Sequence, residues 1–306
     1  MAILQTLGIV SCMGGPMRLC GYAAEMLRDE FARQKQERLL LQWHMVYPEN
    51  QGSKEEKLTK LNKAISQFTE CWTKENTPFL TIGGDHSCAL GTWGGVLNGL
   101  QQPYDFGLVW LDAHMDAHTF HTSPSGNIHG MPLAALLGKA DEKLARMYPS
   151  SDFIKPENLI LIGIRSYEHE EYELLKQKSV EIIFADQINR IDAALIKAID
   201  KLSLSCQRIG ISIDLDVIDP EDAPGVETPA PGGIKAIELL EALSLINQHP
   251  KVCGLEISEF NPEKDIKNKT LHLMRAIVEA FYGAPSNPNK SLESLGSGII
   301  GNSVPN

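Results

Sequence analysis

Gly107-Leu108-Val109-Trp110-Leu111-Asp112-Ala113-His114-Met115-Asp116 passes without a break from apolar residues to carboxylate and imidazole. The first half, Gly107 to Leu111, has no polar side chain on either face of an extended chain, which suits a strand buried on both sides of a parallel sheet. Seven more short runs rich in Val, Ile and Leu read the same way: Leu4 to Val10, Leu39 to Val46, Pro78 to Ile82, Leu159 to Ile164, Val180 to Phe184, Ile209 to Ile213 and Val252 to Ile257. Between them apolar residues recur at helical spacing, as in Leu58, Leu61, Ile65, Phe68 and Trp72, or Met274, Ile277, Val278 and Phe281. Strand alternating with helix predicts an α/β layered fold.

The chain has 306 residues, of which 43% are hydrophobic and 22% charged, enough apolar material for a large core. One compact domain over 1–283 is the expectation, with the Pro/Gly/Asn/Ser-rich stretch 284–306 as an irregular tail. Gly296, Gly298 and Gly301 in that tail spell a dinucleotide fingerprint but lack the helix that must follow one. The Asn268-Lys269-Thr270 sequon carries no weight without a secretion signal, and Thr270 is expected to cap the last helix. With 28 Lys+Arg against 39 Asp+Glu the net charge is -11, which opposes nucleic acid and anionic membrane and favours a cationic small-molecule partner. No stretch nears the ~20 apolar residues of a membrane span, and Met1 to Val10 lacks a signal peptide's charged start, so the cytoplasm is the expected compartment. Six cysteines stand far apart in the chain with no C-x-x-C pair, and most read as small buried hydrophobes.

Ligands collect at the carboxyl ends of parallel strands. Three such ends are rich in chemistry: Gly83-Gly84-Asp85-His86-Ser87, Asp112-Ala113-His114-Met115-Asp116, and Ser212-Ile213-Asp214-Leu215-Asp216-Val217-Ile218-Asp219-Pro220. Alternate residues of an extended segment point the same way, which groups Asp112, His114 and Asp116, and separately Asp214 with Asp216. With His86, four carboxylates and two imidazoles converge on one edge of the sheet. Unscreened, those carboxylates would repel one another, and two divalent cations resolve the conflict. The donor set suits manganese, with Fe(II), Co(II) and zinc compatible by ligand type. Two ions ~3.5–4 Å apart lower the pKa of a shared water towards ~7. Asp85 and Asp219 read as turn or outer residues.

In that order, Gly-Gly-Asp-His-Ser, Asp-Ala-His-x-Asp and Ser-x-Asp-x-Asp-x-x-Asp-Pro resemble the signatures of the arginase/agmatinase (ureohydrolase) family, over at least Ile82 to Pro262. The resemblance implies a three-layer α/β/α sandwich around a mainly parallel eight-stranded sheet. It also implies that His86, Asp112, Asp116 and Asp214 bind metal, with His114 and Asp216 completing a two-ion site, and that the chain forms homo-oligomers, trimers or hexamers. Ser125-Gly126-Asn127-Ile128-His129-Gly130 resembles the loop whose Ser and Asn contact a substrate α-carboxylate and whose His moves a proton, so Ser125 and Asn127 favour L-arginine over agmatine. Arg165-Ser166-Tyr167-Glu168-His169-Glu170-Glu171 places Glu168 and Glu171 at the α-amino group, and Glu259 matches the carboxylate that holds the guanidinium, with Thr228 supporting it. His118 stands where arginases usually carry an Asn, His121 follows close by, and Ser11 to Leu27 lacks the Gly-rich acidic stretch common in the family.

The implied chemistry is hydrolysis of L-arginine to L-ornithine and urea. Metal-bridging hydroxide attacks a guanidinium positioned by Glu259, Asp116 both ligates metal and orients the hydroxide, and His129 delivers a proton to the leaving amine. Agmatinase, guanidinobutyrase and formimidoylglutamase activities share the metal core and stay open. A dinuclear phosphoesterase would place Asn and His side by side before an acidic residue, whereas Asn127 and His129 are separated and precede Gly130. A metal-stabilised scaffold without turnover is the non-enzymatic rival, and the presence of His129 and Glu259 argues against it.

Overall fold

The computed structural model describes residues 3–16, 19–33, 39–102 and 105–283. The tail expected over 284–306 lies outside the described residues. In chain order the elements are β1 (Ile3–Ile9), α1 (Ala23–Arg33), β2 (Leu40–Val46), α2 (Lys54–Lys74), β3 (Phe79–Ile82), α3 (Ala89–Gly99), β4 (Phe106–Leu111), α4 (Pro132–Leu136), α5 (Glu142–Ala145), β5 (Leu159–Ile164), α6 (His169–Gln177), β6 (Glu181–Phe184), α7 (Ile191–Ser205), β7 (Arg208–Asp214), α8 (Ala236–Leu245), β8 (Val252–Ser258) and α9 (Lys269–Tyr282). The strands form one sheet in the order β2-β1-β3-β8-β7-β4-β5-β6, and every pairing is parallel.

Each run becomes a strand because both of its faces are covered. Along β4, Val109 and Leu111 pack into one apolar cluster while Leu108 and Trp110 pack into the other; in β5, Ile160 and Ile162 oppose Leu159 and Leu161 in the same way. Alternation along a strand sends neighbours to opposite faces, so a run between two helical layers must be apolar at every position. Helices α1, α7, α8 and α9 cover the first cluster, and α2, α3 and α4 cover the second. This is the three-layer α/β/α sandwich, with an eight-stranded all-parallel sheet. None of the described helices is long and apolar enough to cross a membrane.

The start of α9 departs from expectation. Its capping position, Asn268, sits in the left-handed region, and Asp265 takes the free N–H groups of Thr270 and Leu271 at 2.9 and 3.1 Å. Thr270 instead accepts the Gly225 N–H at 2.8 Å, tying the loop after β7 to this helix. A buried hydroxyl facing another loop finds a better partner there than at its own helix end.

The four central strands β3, β8, β7 and β4 are adjacent in the sheet although β4 precedes β7 by about a hundred residues. Their carboxyl ends therefore deliver His86, Glu259, Asp214 and Asp112 to one place.

Candidate active site

After β3 the chain turns tightly. A side chain at Gly84 would meet the Ser11 carbonyl oxygen at 1.7 Å, so only glycine fits. Asp85 serves the turn, as expected: one carboxylate oxygen accepts from the Ser87 N–H at 3.0 Å and from its hydroxyl, and the other accepts from the Gly14 N–H at 2.9 Å. The turn aims the buried His86 across the strand ends. Its Nε2 meets the Ser212 hydroxyl at 2.9 Å, its ring stacks on Trp110 at 4.0 Å, and its Nδ1 faces Asp112, Asp116 and Asp214 at 3.4, 3.2 and 3.2 Å.

Asp112 is held from both sides, by Trp110 Nε1 at 2.8 Å on one oxygen and the His114 N–H at 2.6 Å on the other. Asp214 accepts the Asp216 N–H at 2.9 Å, and Asp216 accepts the Ala113 N–H at 3.1 Å while its second oxygen lies 2.9 Å from His114 Nδ1. Two donor groups result, His86 with Asp112, Asp116 and Asp214, and Asp112 with His114 and Asp216; within each, the ligand atoms lie within 4.8 Å of one another. Asp112 belongs to both.

All six side chains expected to converge are brought together, yet not by the alternation of an extended strand. Asp116 has φ 46°, and Asp216 lies in the 3-10 turn Leu215–Val217 that follows β7. A left-handed backbone at an aspartate costs on the order of 1 kcal/mol or more, and persists only where the surroundings hold it. Glu259, at φ 68°, is the second such residue in the site.

Packing so many carboxylates out of water has the expected electrostatic result. Burial, then Asp112, pushes Asp116 up to about 6. Burial, Asp216 and Asp112 drive Asp214 well above the usual carboxylate range. Burial would raise Asp112 too, but its hydrogen bonds with His114 and His86 win and hold it low. Burial lowers His86 and His114, and the carboxylates around each outweigh it, so both imidazoles are raised and protonated at neutral pH. Protons here stand in for missing positive charge. Oxygen and imidazole donors of this kind fit a pair of divalent ions, and an ion must displace those protons to bind. Mn(II) titrated into metal-stripped protein will therefore release protons, and its affinity will rise from about pH 6 to about pH 8; calorimetry in buffers of different ionisation enthalpy measures both. Affinity independent of pH would contradict this.

Beside the two groups lies a cleft of about 200 Å³, lined among others by Ser125, Asn127, His129, Glu168, Glu171 and Thr228. Gly126 takes φ 69° between Ser125 and Asn127, a conformation that favours glycine, and Ser125 Oγ accepts the Asn127 N–H at 3.2 Å. His118 also lines the cleft. It is 5% exposed, not a solvent-facing loop residue, and its Nε2 meets Glu168 at 3.1 Å and Glu171 at 3.3 Å. Glu171 further accepts the N–H groups of Ala117 and Glu168, and burial pushes it up to about 8. His121 points elsewhere, exposed and against Asp141.

Glu259 lies deeper. Its Oε1 accepts the His86 N–H at 2.8 Å and faces His129 Nδ1 at 3.1 Å; its Oε2 is buried and has no hydrogen-bond partner among the described residues. Burial lowers His129, but Glu259, then Asp116 and Asp85, outweigh it and push the imidazole up to about 9. Thr228 does not reach Glu259 as expected: its hydroxyl donates to Asp216 at 3.4 Å, because the loop it rides on folds against the turn after β7.

Three contributors escaped sequence reasoning. Arg165 donates to the carbonyls of Gly163, Asp216, Val217, Ala230 and Pro231, pinning the loop of Asp216 and Thr228. Trp110 read only as a core residue, though its indole N–H holds Asp112. Gly14 read as part of a divergent segment, though its carbonyl accepts the N–H groups of Ile128 and His129 at 2.7 and 3.2 Å.

The sequence model of the Arginase family matches residues 12–283. The chain belongs to the arginase family. It is 39% identical over 225 residues to an arginase of Bacillus subtilis (strain 168), covering 72% of this chain and 74% of the relative, and 37% identical over 209 residues to one of Entamoeba histolytica, covering 67% and 69%. The crystal structure of Bacillus subtilis arginase superposes with TM-score 0.82 at 30% identity, over 92% of this chain and 99% of that one. Entamoeba histolytica arginase in complex with L-ornithine superposes with TM-score 0.83 at 26% identity, over 92% and 98%. A formimidoylglutamase from Bacillus subtilis shares the fold, with TM-score 0.75 at 22% identity. Membership in this family implies a dinuclear metal site, and the two donor groups around Asp112 fit one.

Proposed function

We propose that the protein hydrolyses L-arginine to L-ornithine and urea, holding two Mn(II) ions between His86, Asp112, Asp116 and Asp214 on one side and Asp112, His114 and Asp216 on the other. The observation that carries this is Glu259: a buried carboxylate with one oxygen anchored and the other unpaired, beside the metal donors. An unpaired buried anion is costly, and a guanidinium satisfies it through charge-assisted hydrogen bonds. Similarity to arginases supports the same substrate.

When bound, two divalent ions would lower the pKa of metal-bound water towards ~7 and so supply hydroxide at neutral pH. The chain's own residues do the rest. Glu259 holds the guanidinium, while Ser125 and Asn127 donate to the α-carboxylate and Glu168 and Glu171 accept the α-ammonium. Asp116, ionised above about 6 even without metal, accepts a hydrogen bond from the nucleophile. His129 is protonated at neutral pH, and with Nδ1 turned to Glu259 its Nε2 is the atom free to give a proton to the departing amine. His129→Ala should lower kcat about 10²- to 10⁴-fold while KM for arginine changes little. Retained turnover with full metal content would remove the shuttle role.

Agmatine, which has no α-carboxylate, is the rival substrate that bears on His118. His118 Nε2 is already engaged by Glu168 and Glu171, which leaves fewer donors for a carboxylate than an amide would offer there. Urea release from arginine, agmatine, 4-guanidinobutyrate and formimidoylglutamate by the manganese-loaded protein decides; arginine is expected to have the highest kcat/KM, and Co(II) or Fe(II) reloading tests the metal. A cytoplasmic homo-oligomer, trimer or hexamer, accords with the family resemblance and is checked by sedimentation.

A further inference from the structure

Cys12 and Cys20 meet on the segment that supports His129. Cys12 is partly exposed and Cys20 is fully buried. The Gly21 N–H donates to the Cys12 sulfur at 3.1 Å and the Cys20 thiol donates to the Ser11 carbonyl at 3.9 Å, so each cysteine side chain lies against the backbone beside the other. The neighbouring Cys20 thiol, helped by the Gly21 N–H, holds the Cys12 thiol below its ordinary pKa although burial, Asp85 and Glu259 act against it; the Cys12 sulfur, with burial, pushes the Cys20 thiol up. A reachable sulfur that accepts a backbone N–H, with a second thiol beside it, is the arrangement in which peroxides make disulfides.

Gly14 and Gly15 leave no slack. A side chain at Gly14 would meet the Asp85 carboxylate at 2.2 Å and the Ser87 hydroxyl at 2.3 Å, and one at Gly15 would touch the His129 ring at 3.7 Å. Gly14 is gripped on both sides, its N–H by Asp85 and its carbonyl by the Ile128 and His129 N–H groups.

We propose that Cys12 and Cys20 are a modification site at which hydrogen peroxide forms a disulfide that slows hydrolysis by displacing the Gly14 support of His129. The coupling to turnover rests on the role proposed for His129. In the first step the Cys12 thiolate attacks one peroxide oxygen, the O–O bond breaks, and hydroxide leaves, giving a sulfenic acid. The Cys20 sulfur then attacks the Cys12 sulfur, the S–O bond breaks, and the thiol hydrogen leaves with the oxygen as water. Two thiols lose two electrons and one peroxide becomes two waters. The sulfurs must close to about 2.05 Å, Cys12 ceases to accept from Gly21 in its present place, and the backbone from Ser11 to Gly15 follows. Displacing a catalytic group by about 1 Å costs up to roughly 10²-fold in rate.

The test exposes the manganese-loaded protein to stoichiometric hydrogen peroxide, then counts thiols in denaturant, maps peptides by mass spectrometry and assays urea release before and after dithiothreitol. The expected result is loss of two of the six thiols, a linked Cys12–Cys20 peptide, a fall in kcat of about 5- to 100-fold with KM little changed, full recovery on reduction and unchanged metal content. Cys12→Ser and Cys20→Ser should start near wild-type turnover and keep it in peroxide. Six thiols surviving would overturn the site, and a linked peptide with undiminished kcat, or equal loss in the serine variants, would overturn the coupling. The thiol count and peptide map read the pair without any turnover, so failure of the hydrolysis and failure of the switch are separate results.

Discussion

Asp112→Asn will strip both ions from the protein and abolish urea release. Asp112 belongs to both donor groups, one oxygen facing His86 and the other His114. The amide keeps the shape and can still accept the Trp110 indole N–H, but it removes the anion that both groups share. Loss of a mere outer partner costs ~10- to 100-fold in metal affinity, so loss of a shared ligand should exceed about 100-fold. Elemental analysis after gel filtration should find fewer than one ion per chain. Thermal unfolding of the metal-free variant controls for the fold, with a loss of no more than about 1–3 kcal/mol from the altered hydrogen bonds. Two ions retained with normal turnover would remove Asp112 from the centre of the site.

Glu259→Gln should leave metal content intact and depress kcat/KM for arginine. The glutamine carbonyl can still accept the His86 N–H, so the turn after β3 survives. What disappears is the charge facing the guanidinium. Truncating one partner of a buried charge pair costs about 2–5 kcal/mol, which corresponds to roughly 30- to several-thousand-fold in kcat/KM. His129 loses its largest upward influence as well, so its pKa falls from about 9 towards neutrality and the alkaline limb of the kcat profile moves to lower pH. A variant within about threefold of wild type, or one whose loss is explained by missing metal, would place guanidinium recognition elsewhere.

The strands were legible because a sheet covered on both faces leaves no position for polar residues, and the runs from Leu4 to Ile257 coincide with β1 to β8 apart from their ends. The convergence of His86, Asp112, His114, Asp116, Asp214 and Asp216 was legible for a related reason: the ends of three of the four central strands, β3, β7 and β4, hold them. The means of convergence was not. Left-handed Asp116 and the 3-10 turn at Asp216 are set by contacts with loops distant in the chain. Thr228 and Thr270 went to unexpected partners for the same reason, since a hydroxyl takes whichever buried donor or acceptor the packed loop presents. Cys12 and Cys20 look unrelated along the chain, and the short 3-10 turn Cys20–Tyr22 that sets the Gly21 N–H on the Cys12 sulfur has no motif of its own.

Everything in the proposed chemistry depends on buried carboxylates that exist to hold two cations. The most direct measurement is urea release from L-arginine by metal-stripped protein titrated with Mn(II), followed alongside the bound stoichiometry. No turnover is expected without metal, and full activity only as the second ion binds. Turnover by the stripped protein, or a site that saturates with a single ion at full activity, would contradict this.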